Sequence, residues 1–168
     1  MKRTFRSRFS AEHWLRAEVH SLYGEVRQYI AGSVLSASYR YFWDDWGIKS
    51  QTADVLLRVR VNGDHSVEPH VRWYRQTEAA FYNAFLVEGR AFPVYASADS
   101  RLAAFDAMTY GLKYSLPAGT GSRVSLSGEY YTQMGKRGPP EDFGVLSRFD
   151  MFPALDVFMV RIGFSHEF

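Results

Sequence analysis

The chain has 168 residues, room for one domain, and its 20 basic and 18 acidic side chains leave a formal charge of only +2. So small an excess gives no field to draw in nucleic acid or an acidic surface. Cysteine is absent, which excludes disulfides, thiolate catalysis and thiolate metal sites.

The N-terminal stretch MKRTFRSRFSAEHW is basic but has neither an apolar core nor a small-residue cleavage site, so it is not a signal peptide. Either the protein stays in the cytoplasm or its true beginning lies further upstream. Within this stretch, KRTFRSR reads as a weak strand. From there, period-two alternation and turn residues predict strands near 20–30, 33–43, 50–61, 66–82, 100–116, 121–134 and 155–168. Leu15, Val19, Leu22, Val26 and Ile30 also fit helical spacing, so a helix over 13–30 competes for the first of these. No run approaches the roughly 18 apolar residues of a membrane helix.

Each predicted strand has one apolar and one polar row. Leu35, Ala37, Tyr39, Tyr41 and Trp43 oppose Val34, Ser36, Ser38 and Arg40. Ala53, Val55, Leu57, Val59 and Val61 oppose Thr52, Asp54, Arg58 and Arg60. Val67, Val71 and Trp73 oppose Glu68, His70, Arg72 and Tyr74. The polar rows go on through Lys113, Arg123, Glu129 and Arg161. Connections alternate between short ones (AGS at 31–33, NGDH at 62–65, PAGTG at 117–121) and longer ones (DDWGIKS, residues 83–97, GKRGPPEDFGVLSRFDMFP). Outer-membrane barrels carry short turns at one end and long loops at the other.

Alternation alone also fits a soluble sandwich or barrel. Three features favour a transmembrane barrel. The polar rows mix signs as a hydrated, ion-paired lumen requires. Tyr41, Trp43, Tyr110 and Tyr114 lie toward the ends of apolar rows, where an aromatic girdle is expected. The last strand, DVFMVRIGFSHEF, puts Phe158, Val160, Ile162, Phe164 and Phe168 on one face, like the C-terminal strand through which assembly machinery receives such barrels.

The blocks YRYFWDDWGIKSQT from Tyr39, VRWYRQTEAAFY from Val71 and YASADSRLAAFDAMTYGLKY from Tyr95 resemble, in order, the bacterial family DUF3570. The resemblance covers most of 39–168. Its motif positions fall on Tyr39, Arg40, Asp44, Asp45 and Trp46, on Tyr74, Gln76, Phe81 and Tyr82, and on Ser97, Asp99, Arg101 and Leu102. It implies a bacterial outer-membrane barrel roughly twice as long with a signal peptide. This chain would then be the C-terminal half, a single domain over 1–168 incomplete at its N-terminus, with leader and remaining strands upstream. The family has no established activity, so the resemblance implies class and location rather than chemistry.

The candidate sites are two. Arg40, Asp44, Asp45, Trp46, Gln76, Glu78, Tyr82, Asp99 and Arg101 form a loop-end polar cluster. Its carboxylates could gather a hard cation, but no calcium-loop spacing is present, and pairing with Arg40, Arg75 and Arg101 is the expectation. Arg58, Arg60, Glu68, His70, Arg72, Tyr74, Lys113, Arg123, Glu129 and Arg161 are expected to line the lumen. Ser66, Glu68 and His70 could in principle make a hydrolytic set, but alternate side chains on one strand point in parallel rather than converging. PAGTGS and GKRGPP lack a phosphate-loop pattern. The expectation is a non-enzymatic outer-membrane barrel acting as pore, scaffold or surface-binding protein. No cofactor, metal or nucleic acid is expected, and its partners would be membrane lipid and the barrel-assembly machinery. An outer-membrane lipid hydrolase and a soluble barrel around an apolar ligand are the alternatives.

Overall fold

A computed structural model describes residues 18–86, 91, 93–135, 152 and 154–167. The weak strand KRTFRSR, most of the 136–154 connection and Phe168 lie outside the described residues. Among the described residues seven strands form one sheet: β1 (Val19–Ile30), β2 (Ser33–Asp44), β3 (Lys49–Arg60), β4 (Ser66–Gln76), β5 (Phe105–Pro117), β6 (Ser122–Gly135) and β7 (Leu155–His166). Each pairs antiparallel with its sequence neighbour, in the order β1 to β7. Val19 to Ile30 is strand, not helix: the whole stretch pairs in register with β2, and Val19, which a helical stripe would align with Leu22, Val26 and Ile30, falls on the opposite face of the strand from them. The strands are 11 to 14 residues long, at or above the roughly 9 to 11 needed to cross a bilayer.

Turn chemistry fixes the register at one end. Ala31 and Gly32 both have positive φ, 46° and 85°, the backbone of a two-residue hairpin turn whose twist matches the flanking strands. The β3–β4 turn closes through Val61 N–H to the His65 carbonyl, and the β5–β6 turn through Ala118 N–H to Ser122. At the other end the β2–β3 connection is shorter than its sequence suggested. Asp44 Oδ1 accepts from the Trp46 and Ile48 amides at 3.0 and 2.9 Å, pulling the chain round within four residues. The asymmetry therefore rests on the two connections that follow β4 and β6.

The predicted strand 66–82 stops at Gln76, and β5 begins at Phe105 rather than at 100. The backbone between them folds over the end of the sheet. Thr77 N–H donates to the Lys49 carbonyl, Ala79 to Leu102, Ala80 to Trp46 and Asn83 to Ser97. A short 3-10 turn at Ser100–Leu102 has Asp99 as its cap. The buried apolar residues, Ala79, Ala103, Ala107 and Phe152, all sit at this end. The Phe152 ring lies tilted against Phe105 at 5.8 Å and occupies the place a side chain on Gly135 would need. Elsewhere the sheet has no second layer against it among the described residues. Its apolar side chains face outward: Leu22, Val26, Phe158, Val160, Ile162 and Phe164 are each between 62 and 78% exposed.

Candidate functional site

The ladder aligns side chains into ranks that run across all seven strands. On the outer face one rank reads Val26, Ala37, Val55, Val71, Tyr110, Tyr130, Phe158. Toward the turns follow Val59, Val67, Tyr114, Leu126 and Ile162. Toward the loops the apolar face ends in polar partners. Arg75 donates to Asp106 and lies over the Trp73 ring at 5.6 Å, and the Tyr130 hydroxyl donates to Asp156 at 2.8 Å. At the same end Trp43 stacks on His20 at 5.4 Å. At the turn end the Tyr114 hydroxyl is 2.6 Å from His65 Nδ1. Along β7 the apolar stretch from Phe158 to Phe164 measures about 20 Å at 3.3 Å per residue.

The inner face is concave. Residues from β1 through β7, among them Tyr23, Arg40, Asp54, Glu68, His70, Tyr74, Glu129 and Arg161, line one groove of about 1100 Å³. Arg58, Glu68, Lys113, Ser127 and Arg161 form one rank of the inner face, because opposite residues on neighbouring strands share a face. Glu68 is 6% exposed and lies between two cations, 2.9 Å from Arg58 Nε and 3.8 Å from Lys113 Nζ. Two ranks toward the loops, Asp54 Oδ2 accepts from Arg72 Nε at 2.7 Å and lies 3.0 Å from His70 Nε2. On β1, Glu25 binds Arg27 at 2.6 Å and accepts from the Tyr23 hydroxyl at 3.0 Å.

Of the residues expected inside, Arg58, Glu68, His70, Arg72, Tyr74, Glu129 and Arg161 line the groove. Lys113 joins it through Glu68, Arg60 lies opposite Ser66 at the turn end, and Arg123 donates to the Asp64 carbonyl at 2.8 Å. The residues that sequence reading missed are Glu25, Arg27 and Tyr23. Their parity was visible, but β1 also carried a helical pattern that hid it. Ser66, Glu68 and His70 share the inner face without engaging one another, since Glu68 is held by Arg58 and His70 by Asp54.

The loop-end cluster is assembled differently from the expectation. Among the described residues of the cluster only Asp99 and Arg101 pair as carboxylate and guanidinium, at 2.6 Å, and this contact holds Asp99 well down at about 2. Arg75 goes to Asp106, Asp44 caps its own turn, and Arg40, opposite Thr52 and Tyr23 in the ladder, has no carboxylate partner among the described residues. Arg40 and Asp44 share the inner face of β2, Arg75 and Asp106 lie on the outer face, and Asp45, Glu78, Asp99 and Arg101 lie off the strands, so nearness to one end of the sheet does not bring these charges together. Gln76 is the tie: its Nε2 donates to the carbonyls of Arg101 and Ala103 at 2.9 and 2.8 Å, while its Oε1 accepts from Tyr74. Trp46 packs edge-on against Phe81 at 5.7 Å. Burial first, and the Glu78 carboxylate second, push the Tyr82 hydroxyl up. Asp45 and Glu78 stay exposed at the rim, and no three His, Asp or Glu side chains gather as a metal site among the described residues.

No curated protein matches the chain. A family described as "Protein of unknown function (DUF3570)" matches residues 16–166, nearly the whole sequence, and the chain belongs to the DUF3570 family.

Proposed function

We propose that this chain forms part of the wall of a bacterial outer-membrane β-barrel, with its convex face against lipid and its concave face lining a water-filled lumen, and that it acts as a pore or a solute-holding scaffold rather than an enzyme. The observation that supports this most is the division of faces. An apolar outer row recurs on every strand, whereas the inner rows carry ion pairs. A soluble protein rarely exposes a contiguous apolar patch beyond a few hundred Å²; here the patch crosses the sheet from Leu22 and Val26 to Ile162 and Phe164. Lipid is the surrounding in which such a face costs nothing. The lumen would supply water to Arg27, Arg58 and Arg72, whose side chains remain at least half exposed beside their carboxylates.

A soluble barrel around an apolar ligand would need the opposite arrangement, with the greasy rows inside. A lipid hydrolase would need Ser66, Glu68 and His70 in one relay, and Glu68 and His70 are held by Arg58 and Asp54 instead. In this reading β7 is also the strand offered to the assembly machinery. The test is reconstitution. The protein, refolded from detergent into phosphatidylcholine vesicles, should float with them through a density gradient and stay bound in alkaline carbonate. Recovery in the carbonate supernatant would refute the membrane reading.

A further inference from the structure

The inner rows of the seven strands carry eight cations, Arg27, Arg40, Arg58, Arg60, Arg72, Lys113, Arg123 and Arg161, against five carboxylates, Glu25, Asp44, Asp54, Glu68 and Glu129. Asp44, on the same side at the rim, is committed to the amides of its own turn. The surplus of three on this face exceeds the +2 of the entire chain. Pairing absorbs only part of it. Glu25 takes Arg27, Asp54 takes Arg72, and Glu68 is shared by Arg58 and Lys113. Arg40 and Arg161 both line the groove, and neither has a carboxylate within ion-pair distance among the described residues. A guanidinium offers a planar fork of donors that matches an oxyanion two bonds at a time. Walls of one sign in a confined groove also concentrate the counter-ion.

We propose that the concave face takes up water-borne oxyanions of the phosphate or sulfate class, with Arg40 and Arg161 as the binding guanidiniums and the paired arginines between them as a fixed, neutralised scaffold. This rests on the reading of the concave face as a hydrated lumen and names what that lumen admits. Glu129 lines the groove and, like Asp44 at the rim, has no cation within ion-pair distance among the described residues, so it opposes the anion and weakens its hold.

The test uses inorganic pyrophosphate, titrated calorimetrically into the whole chain in phosphate-free detergent at low salt, with spermidine as cationic control. Saturable pyrophosphate binding is expected, with affinity falling on the order of tenfold for each guanidinium contact removed in R40Q and R161Q. E129Q, which removes a charge without adding bulk, should bind more tightly, so the proposal stays testable even if an arginine variant misfolds. Spermidine binding as tight as pyrophosphate, or unchanged affinity in all three variants, would overturn it. So would displacement of pyrophosphate by phosphatidylglycerol in mixed micelles, which would assign the groove to a lipid headgroup. Vesicle flotation separates the two readings. Flotation without pyrophosphate binding refutes the anion site alone, and pyrophosphate binding without flotation refutes the membrane reading and leaves the anion site standing.

Discussion

Leu57 and Arg58 are adjacent in β3 and face opposite sides of the sheet, so exchanging the character of either one tests a single face. Leu57 stands opposite Leu35 in the outer belt, whereas Arg58 reaches inward to Glu68. On the proposed membrane reading, Leu57→Arg should destabilise the refolded protein by about 2 to 4 kcal/mol, the cost of a cation near the bilayer midplane. Arg58→Leu should cost less, because Glu68 keeps Lys113 3.8 Å away. Urea unfolding in vesicles measures both, and the reverse order would mean that the faces are exchanged. A second residue test concerns close approach. The Cβ of an alanine at 135 would meet the Phe152 ring, so Gly135→Ala should cost about 1 to 3 kcal/mol through overpacking. In the Phe152→Ala background the same change should cost almost nothing. Equal costs in both backgrounds would show that Phe152 does not occupy that place.

At the scale of the element, strand positions were legible because alternation and turn residues are local. The predicted bounds for β1, β2, β3, β6 and β7 lie within about two residues of those observed. What was not legible is where β4 stops, because Gln76 to Tyr82 continues to look strand-like while its amides bond to Lys49, Leu102 and Trp46, partners far away in sequence. The same limit applied to the site. Parity placed Glu68 and Arg72 on one face, but only the register shows that Arg40 meets Thr52 and Tyr23 instead of a carboxylate. Gln76 holds the end of β4 to the returning chain, so Gln76→Ala should release the cap. Hydrogen exchange at the Ala79 and Asn83 amides should rise by roughly tenfold or more, as two hydrogen bonds of about 1 kcal/mol each are lost. Unchanged exchange there would show that the backbone bonds alone hold the loop. The cap also carries a pH dependence. Asp99 sits at about 2, below the ordinary 3.8, held there by hydrogen bonds from the Arg101 side chain and backbone. A depressed carboxylate stabilises fully above its unfolded value and loses that contribution as pH falls through its folded one. The cap should therefore stay closed at pH 4 and loosen as the pH drops from 3.8 toward 2, with Asp99→Asn insensitive across that window. Chemical shifts of the Ser100 and Arg101 amides report it.

For the molecule as a whole, strand parity governs closure. In a meander of seven antiparallel strands the first and last run the same way, so β1 and β7 cannot complete an antiparallel ladder with each other. Both edges are apolar on the outer side, with Val26 at 68% and Val160 at 62% exposure. In hydrocarbon, every unpaired backbone group along these edges would cost several kcal/mol, which is why membrane sheets close. Closure in the antiparallel sense requires an odd number of further strands between β7 and β1, from whatever source. The absence of cysteine makes this directly measurable. A Val26→Cys, Val160→Cys double variant in vesicles should give no intramolecular product with a short bifunctional thiol reagent. Val26→Cys with Ala37→Cys, directly opposite in the β1–β2 ladder, should link readily under the same conditions. Efficient linking of 26 to 160 within one molecule would mean that the seven strands close on themselves through a parallel pair, and the parity argument would fail.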